Sequence, residues 1–143
     1  MTLDRSLLDL AASQHLGVLA TTKRDGRPQL SNVNFFFSPD TLQAKVSVID
    51  ARAKVANVRR DPRVSMLVSS DDGWSYAVLE GTAELSAVAA SHDDETVDEL
   101  IEVYRSIRGE EHPDWEEYRR AMVDDRRLVL RLSVQHVYGL RQH

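Results

Sequence analysis

The sequence contains no cysteine, and only 6 glycines and 4 prolines in 143 residues. Without thiols there is no disulfide framework, no thiolate metal or iron–sulfur site and no cysteine nucleophile. The glycines, at positions 17, 26, 73, 81, 109 and 139, are scattered. Neither a Walker loop nor a Gly-x-Gly-x-x-Gly fingerprint can be drawn through them, and no Gly-x-Ser-x-Gly elbow presents a hydrolase serine. No apolar run approaches the ~20 residues of a membrane span. The first residues show no basic stretch followed by an apolar core, so no secretory signal is read. A cytoplasmic protein with no membrane partner is expected. A basic excess is missing too: 18 Lys and Arg stand against 23 Asp and Glu, for a net charge of -5, which argues against a nucleic-acid partner. The five histidines, His15, His92, His112, His136 and His143, show no ligand spacing, so no metal site is expected. The acid pairs Glu110-Glu111 and Asp124-Asp125 read as solvated helix flanks.

What is present is enough apolar residue, 42%, for one packed domain spanning residues 1–143. Leu3, Leu7, Leu10 and Ala11 share one helical face, so the chain opens with a short amphipathic helix. The period then shortens. Leu16 to Thr22 and Pro28 to Phe37 read as strands joined at Asp25-Gly26, a strong hairpin signal. After the turn Ser38-Pro39-Asp40, a third strand alternates from Leu42 to Ile49. Asp50 is placed to cap a helix from Ala51 to about Arg60, which Asp61-Pro62 would end. Strands follow at Arg63–Ser69 and Trp74–Leu85, then a helix carrying Val97, Leu100, Ile101, Tyr104 and Ile107 on one stripe. Another helix opens at Asp114, with Glu117 completing a capping-box pattern. A last strand runs from Arg126 or Arg127 to about Tyr138. Six strands in mostly hairpin order, interrupted by helices, predict an α+β fold that is mainly β: a six-stranded antiparallel barrel with flanking helices.

Three segments could carry chemistry. In Asp50-Ala-Arg-Ala-Lys-Val-Ala-Asn, Arg52 and Lys54 fall in the first turn of a helix, where cations oppose the helix dipole. An anion held there by free N–H groups and both side chains would account for them, and Asn57 would reach out alongside. A solvated basic helix is the plainer reading. In Pro28-Gln-Leu-Ser-Asn, polar side chains sit among apolar ones on a strand and would need partners if buried. The edge of a flat heteroaromatic ring would supply them, as would water on an exposed face, and Ser47 fits either picture. Trp74 and Tyr76 follow a turn and could cover a ligand, although most such residues are core.

Taken together these segments resemble the flavin- and deazaflavin-binding split β-barrel superfamily that includes pyridoxamine 5′-phosphate oxidase. Within it they are most similar to the coenzyme F420-dependent oxidoreductases of actinobacteria. The resemblance rests on Gly17-Val-Leu-Ala-Thr, Asp25-Gly-Arg-Pro-Gln-Leu-Ser-Asn-Val, Arg52-Ala-Lys, Arg59-Arg-Asp-Pro-Arg, Asp71-Asp-Gly-Trp-Ser-Tyr-Ala, Glu80-Gly-Thr-Ala, Tyr118-Arg-x-Ala-Met and His136-Val-Tyr-Gly-Leu. It implies an FMN-binding split-barrel type of fold and a homodimer with cofactor sites at the subunit interface. It implies coenzyme F420, or alternatively FMN, with the cofactor phosphate on Arg52 and Lys54. Gln29, Leu30, Ser31 and Asn32 would lie against the ring, Ser47 and Val48 near the phosphate or ribityl chain. Trp74, Ser75 and Tyr76 would reach the site from the partner subunit. On charge alone, and not from the resemblance, Arg59, Arg60 or Arg126 would meet an anionic cofactor tail. The implied activity is hydride transfer between reduced deazaflavin and an unsaturated small molecule. Alternatives are an FMN-dependent enzyme of the same fold, a non-catalytic F420 carrier, and a barrel module with no cofactor. The Arg-x-His element of pyridoxamine phosphate oxidases is not recognisable, so the resemblance does not extend to that substrate.

Overall fold

One residue decides the architecture. The stretch that reads as a single strand from Pro28 to Phe37 is broken at Phe35, whose side chain is fully buried. Its N–H donates to the carbonyl of His15, and its own carbonyl lies 3.1 Å from His15 Nδ1. The computed structural model, which describes residues 3–142, therefore has seven strands rather than the six expected. In chain order the elements are α1 (Arg5–Ala12), β1 (Leu16–Thr22), β2 (Pro28–Asn34), β3 (Phe36–Ser38), β4 (Gln43–Ile49), α2 (Ala53–Arg60), β5 (Arg63–Ser69), β6 (Tyr76–Leu85), α3 (Glu95–Arg108), α4 (Trp115–Asp124) and β7 (Arg127–Leu140).

The sheet runs β2-β1-β5-β6-β7-β4-β3, and each of its pairings is antiparallel. β2 and β3 lie at opposite ends of that order yet are joined by Phe35 alone. The sheet must therefore curl until its two edges nearly meet. The result is a half-barrel with a split between β2 and β4, closed by packing and not by a hydrogen-bond ladder.

Alternation fills the barrel. Leu19, Phe37, Val46, Met66, Leu79, Leu128 and Leu130 are buried inside, with Leu7, Leu8, Leu10 and Ala11 of α1 and Val55 and Val58 of α2 against them. Successive residues of β7 point to opposite faces. Val129 accordingly leaves that core and joins Val97, Leu100, Ile101 and Met122 in a second cluster beneath α3 and α4. The start of α4 at Asp114 follows the sequence signal, and two caps that the sequence reading did not single out act in the same way. The carboxylates of Asp4, Asp94 and Asp114 accept first-turn N–H groups of α1, α3 and α4. The Asp25-Gly26 hairpin forms as expected, with Gly26 at φ 88°. Among the described residues no helix is long and apolar enough to cross a membrane.

An ion network pins α3 onto the sheet. Glu99 accepts from Arg131 of β7 through both carboxylate oxygens and lies 3.1 Å from Lys45 of β4, and its side chain is only 17% exposed. The Arg131 guanidinium and Lys45 hold its carboxyl below the usual carboxylate range. A carboxyl with a depressed folded-state pKa contributes stability that is present above its unfolded pKa and lost as pH falls through the folded one. Glu99→Gln is expected to cost about 1–3 kcal/mol at neutral pH. That difference should shrink below about pH 4, read by denaturant unfolding at pH 7 and pH 3.

Candidate functional site

α2 begins without the expected cap. Its N-cap is Arg52, which has no side-chain hydrogen bond to the helix, and no acid stands in its first turn. Asp50 is not the cap, and the helix starts at Ala53, two residues later than the sequence predicts. The physical reason is that the Asp50 carboxylate is already used. It accepts from Arg59 at 2.8 Å and from Arg126 at 3.2 Å, and both guanidiniums hold its carboxyl below the ordinary value. Its N–H also donates to the Arg126 carbonyl. Arg126 sits in the left-handed region at φ 54°, which this double clamp holds in place. Asp50 thus ties together the end of β4, the helix α2 and the start of β7.

Those three elements, with β2 and Ile107 of α3, line a cleft of about 380 Å³ at the split of the barrel. Asn32 and Asn34 of β2 form one wall and Ser47 of β4 another, while Arg52, Lys54 and Arg127 supply charge. None of its lining residues is acidic. The Arg52 and Lys54 side chains form no hydrogen bond or ion pair with a described residue. Arg127 is the residue that sequence reasoning missed. Its Nη1 reaches the Ser47 hydroxyl only at 3.4 Å, and its Nε is buried with no hydrogen-bond partner. The nearest carboxylate, Asp125, is 3.9 Å from that Nε, which is an ion-pair distance and too long for a hydrogen bond. Burial, then the charges of Arg52 and Arg127, push the Lys54 ammonium below its usual pKa. Three crowded cations, two of them with no ion pair among the described residues and the third with an orphaned buried donor, form a site that an oxyanion would complete.

The structure divides the predicted residues. It brings Asn32, Ser47, Val48, Arg52 and Lys54 to this cleft, Val48 as a core residue between the half-buried Ser47 and Ile49. Gln29 lies instead in a groove on the other flank of α2, beside Lys23 and Ala56. Alternation puts Leu30 and Asn32 on one face of β2 and Gln29 and Ser31 on the other, so the four do not share one surface. Asn57 does not reach out as expected. It is buried, donates to the Thr21 hydroxyl at 3.1 Å and accepts from Arg60, clipping α2 to β1. Ser75 is also buried, and its hydroxyl accepts the N–H of Gln142. Trp74 lies in the turn before β6, 69% exposed, and Tyr76 opens β6 opposite Leu140. Neither lines the split cleft. Nor are the three arginines suggested for an anionic tail free. Arg59 and Arg126 are held by Asp50, and Arg60 donates to the Thr22 carbonyl and to Asn57.

The curled antiparallel sheet with a cation-lined cleft at its split defines a protein of the split-barrel class. The sequence model of the pyridoxamine 5′-phosphate oxidase family matches residues 3–141, and the chain belongs to that family. Solved structures agree on the fold. A conserved hypothetical protein from Mycobacterium tuberculosis is 21% identical, with a TM-score of 0.73 over 100% of this chain and 91% of that one. An F420 reductase is 20% identical, with a TM-score of 0.64 over 94% of each chain. A heme binding protein from Mycobacterium smegmatis is 23% identical, with a TM-score of 0.63 over 98% of this chain and 55% of that one. At these identities the likeness is one of fold.

Proposed function

We propose that the protein is an oxidoreductase that binds coenzyme F420 by its phosphate in the split cleft and serves hydride transfer to an unsaturated small organic acceptor. The observation that carries this reading is the convergence of Arg52, Lys54 and Arg127 with the Ser47 hydroxyl, with no acid among the lining residues. Membership of an oxidase family and the fold of an F420 reductase support the redox part. When bound, a reduced deazaflavin supplies a hydride from a carbon centre, and the protein's share is binding, orientation and exclusion of water. Arg52, Lys54 and Arg127 would neutralise the phosphate, and Ser47 would donate to one of its oxygens. Asn32, on the outward face of β2 at the cleft's edge, would meet the ring where it leaves the split.

The functional unit we propose is a homodimer. Trp74, Tyr138 and Leu140 are large apolar side chains left 47–69% exposed. Tyr138 and Leu140 alternate on one face of β7, and Tyr76, two residues after Trp74, pairs with Leu140. A second copy laid on that face would cover them and bring Trp74 toward its partner's cleft. A purely monomeric protein in sedimentation equilibrium at micromolar concentration would overturn this.

The test of the activity is equilibrium binding of apo-protein to coenzyme F420 and to FMN side by side, followed by oxidation of the reduced cofactor with and without acceptor. Micromolar or tighter F420 binding, much weaker FMN binding and acceptor-dependent oxidation are expected. Preference for FMN would replace this reading with the FMN-dependent one. F420 binding with no acceptor-dependent oxidation would make the protein a carrier, and binding of neither cofactor would end the redox reading.

A further inference from the structure

The outward face of β2, β1 and β5 carries another cleft, of about 370 Å³, within the range of small-molecule sites. Its floor is the cross-strand row Asn32–Val18–Leu67, with Leu16 beside it. Leu16 is 62% exposed and Leu67 39%, an apolar surface that a flat molecule would cover. Asn32 lines this cleft and the split cleft alike, so a ligand anchored by its anion at the split reaches the sheet face across a single side chain.

The two clefts are opposite in charge. The split holds three cations and no acid, whereas the face cleft is lined by one acid, Asp71, and by no cation. Asp71 belongs to the Ser70–Gly73 turn, where its neighbour does the structural work. The Asp72 carboxylate accepts from the Ser70 hydroxyl and from the Trp74 N–H. Asp71 is exposed, and its side chain has no hydrogen-bond or ion-pair partner among the described residues. The turn therefore holds its shape through Asp72 and leaves the other carboxylate to whatever enters the cleft.

We propose that the face cleft receives the acceptor as a flat, apolar molecule, and that Asp71 selects acceptors that are neutral or cationic and turns away carboxylates and sulfonates. The acceptor role rests on the split cleft being the cofactor's anchor. Selection by charge is a property of the apo-protein and can be measured without turnover.

Isothermal titration of the apo-protein with two flat three-ring probes reads it directly: proflavine, a cation, and anthraquinone-2-sulfonate, an anion. The wild type is expected to bind proflavine and to bind the sulfonate at least about fivefold more weakly, the size of one contact charge pair near 4 Å in water. Asp71→Asn should remove most of that preference and Asp71→Lys should reverse it. Asp40→Asn makes the same change of charge on the β3–β4 turn, outside both clefts, and should leave it intact. A preference unchanged in Asp71→Asn, or lost equally in Asp40→Asn, would overturn the proposal, as would failure of the wild type to bind either probe. F420 and FMN titrations on the same samples separate the two ideas. Probe selection by Asp71 with neither cofactor bound would leave the charge filter and remove the acceptor role. Cofactor bound with no probe selection would do the opposite.

Discussion

Replacing Arg52 and Lys54 together by alanine is expected to weaken F420 binding by about 100-fold or more while leaving the thermal midpoint unchanged or slightly raised. Two charge-assisted hydrogen bonds to a phosphate are worth at least about 3 kcal/mol together, which is about two orders of magnitude in affinity. Stability should not follow affinity down, because neither side chain is bonded to a described residue and Lys54 is under repulsion from Arg52 and Arg127 in the free protein. The pH dependence has a definite sign. A lysine whose folded-state pKa lies below its unfolded value makes the unfolded chain the better proton binder, so in the alkaline range stability rises with pH through the interval between the two. The double variant should lose that rise. Thermal melts of apo-protein at pH 7 and pH 10, with binding titrations at pH 7, check both halves. A midpoint lowered by more than about 5 °C would mean that the cations hold the fold rather than a ligand.

Gly81→Ala is expected to be severely destabilising for a change of one methyl group. β6 and β7 slip register between Glu80 and Gly81, so that Glu80 opposes His136 and Gly81 opposes Val134. At that bulge the two backbones approach so closely that a Cβ on Gly81 would lie 1.8 Å from the carbonyl oxygen of Ser133. The obstacle is backbone and cannot rotate away, so the pairing itself must open. Loss of about 3–5 kcal/mol is expected, a large part of the roughly 5–15 kcal/mol that holds a domain together. Denaturant unfolding, or soluble yield if the variant does not accumulate, gives the answer. Gly26→Ala is the internal control. It has open space around it but a positive φ of 88°, and should cost only about 1–2 kcal/mol of backbone strain. Equal losses in the two variants would show that the contact at the bulge is not the cause.

Features with local causes are legible in the sequence, and those with distant causes are not. Alternation placed β1 and β5 at their observed bounds, because each strand has one face in the barrel core. The Asp25-Gly26 turn and the Asp114 cap were legible because the groups that satisfy them lie within four residues. Arg52 and Lys54 were legible for a similar reason: a helix that opens on two cations and no acid is uncomfortable without an anion. The failures all involve partners far along the chain. Asp50 has the composition of a cap, but its carboxylate is claimed by Arg59, nine residues on, and by Arg126, 76 residues on. Asn57 looked like a reaching polar group and is consumed by Thr21, 36 residues back. Arg127 is one of several arginines in the sequence, and nothing local marks it. Only the β4–β7 register, which pairs Ile49 with Arg127, carries it to Ser47. Phe35 breaks its strand because His15 supplies the hydrogen bonds that a continuing ladder would have supplied.

That break has a consequence for how such a protein can change. β2 and β3 occupy the two far ends of the sheet and are tethered by a single buried residue. The tether works as a hinge pin of fixed length: the gap it spans cannot be widened by drift in the flanking strands, and one inserted residue would turn every following side chain of β3 to the wrong side. The mouth of the split cleft is therefore a constant gauge. Descendants that acquire larger or differently charged ligands must find the room elsewhere, along the open sheet face and in the Ser70–Gly73 turn, where chain can be added without prising the barrel apart.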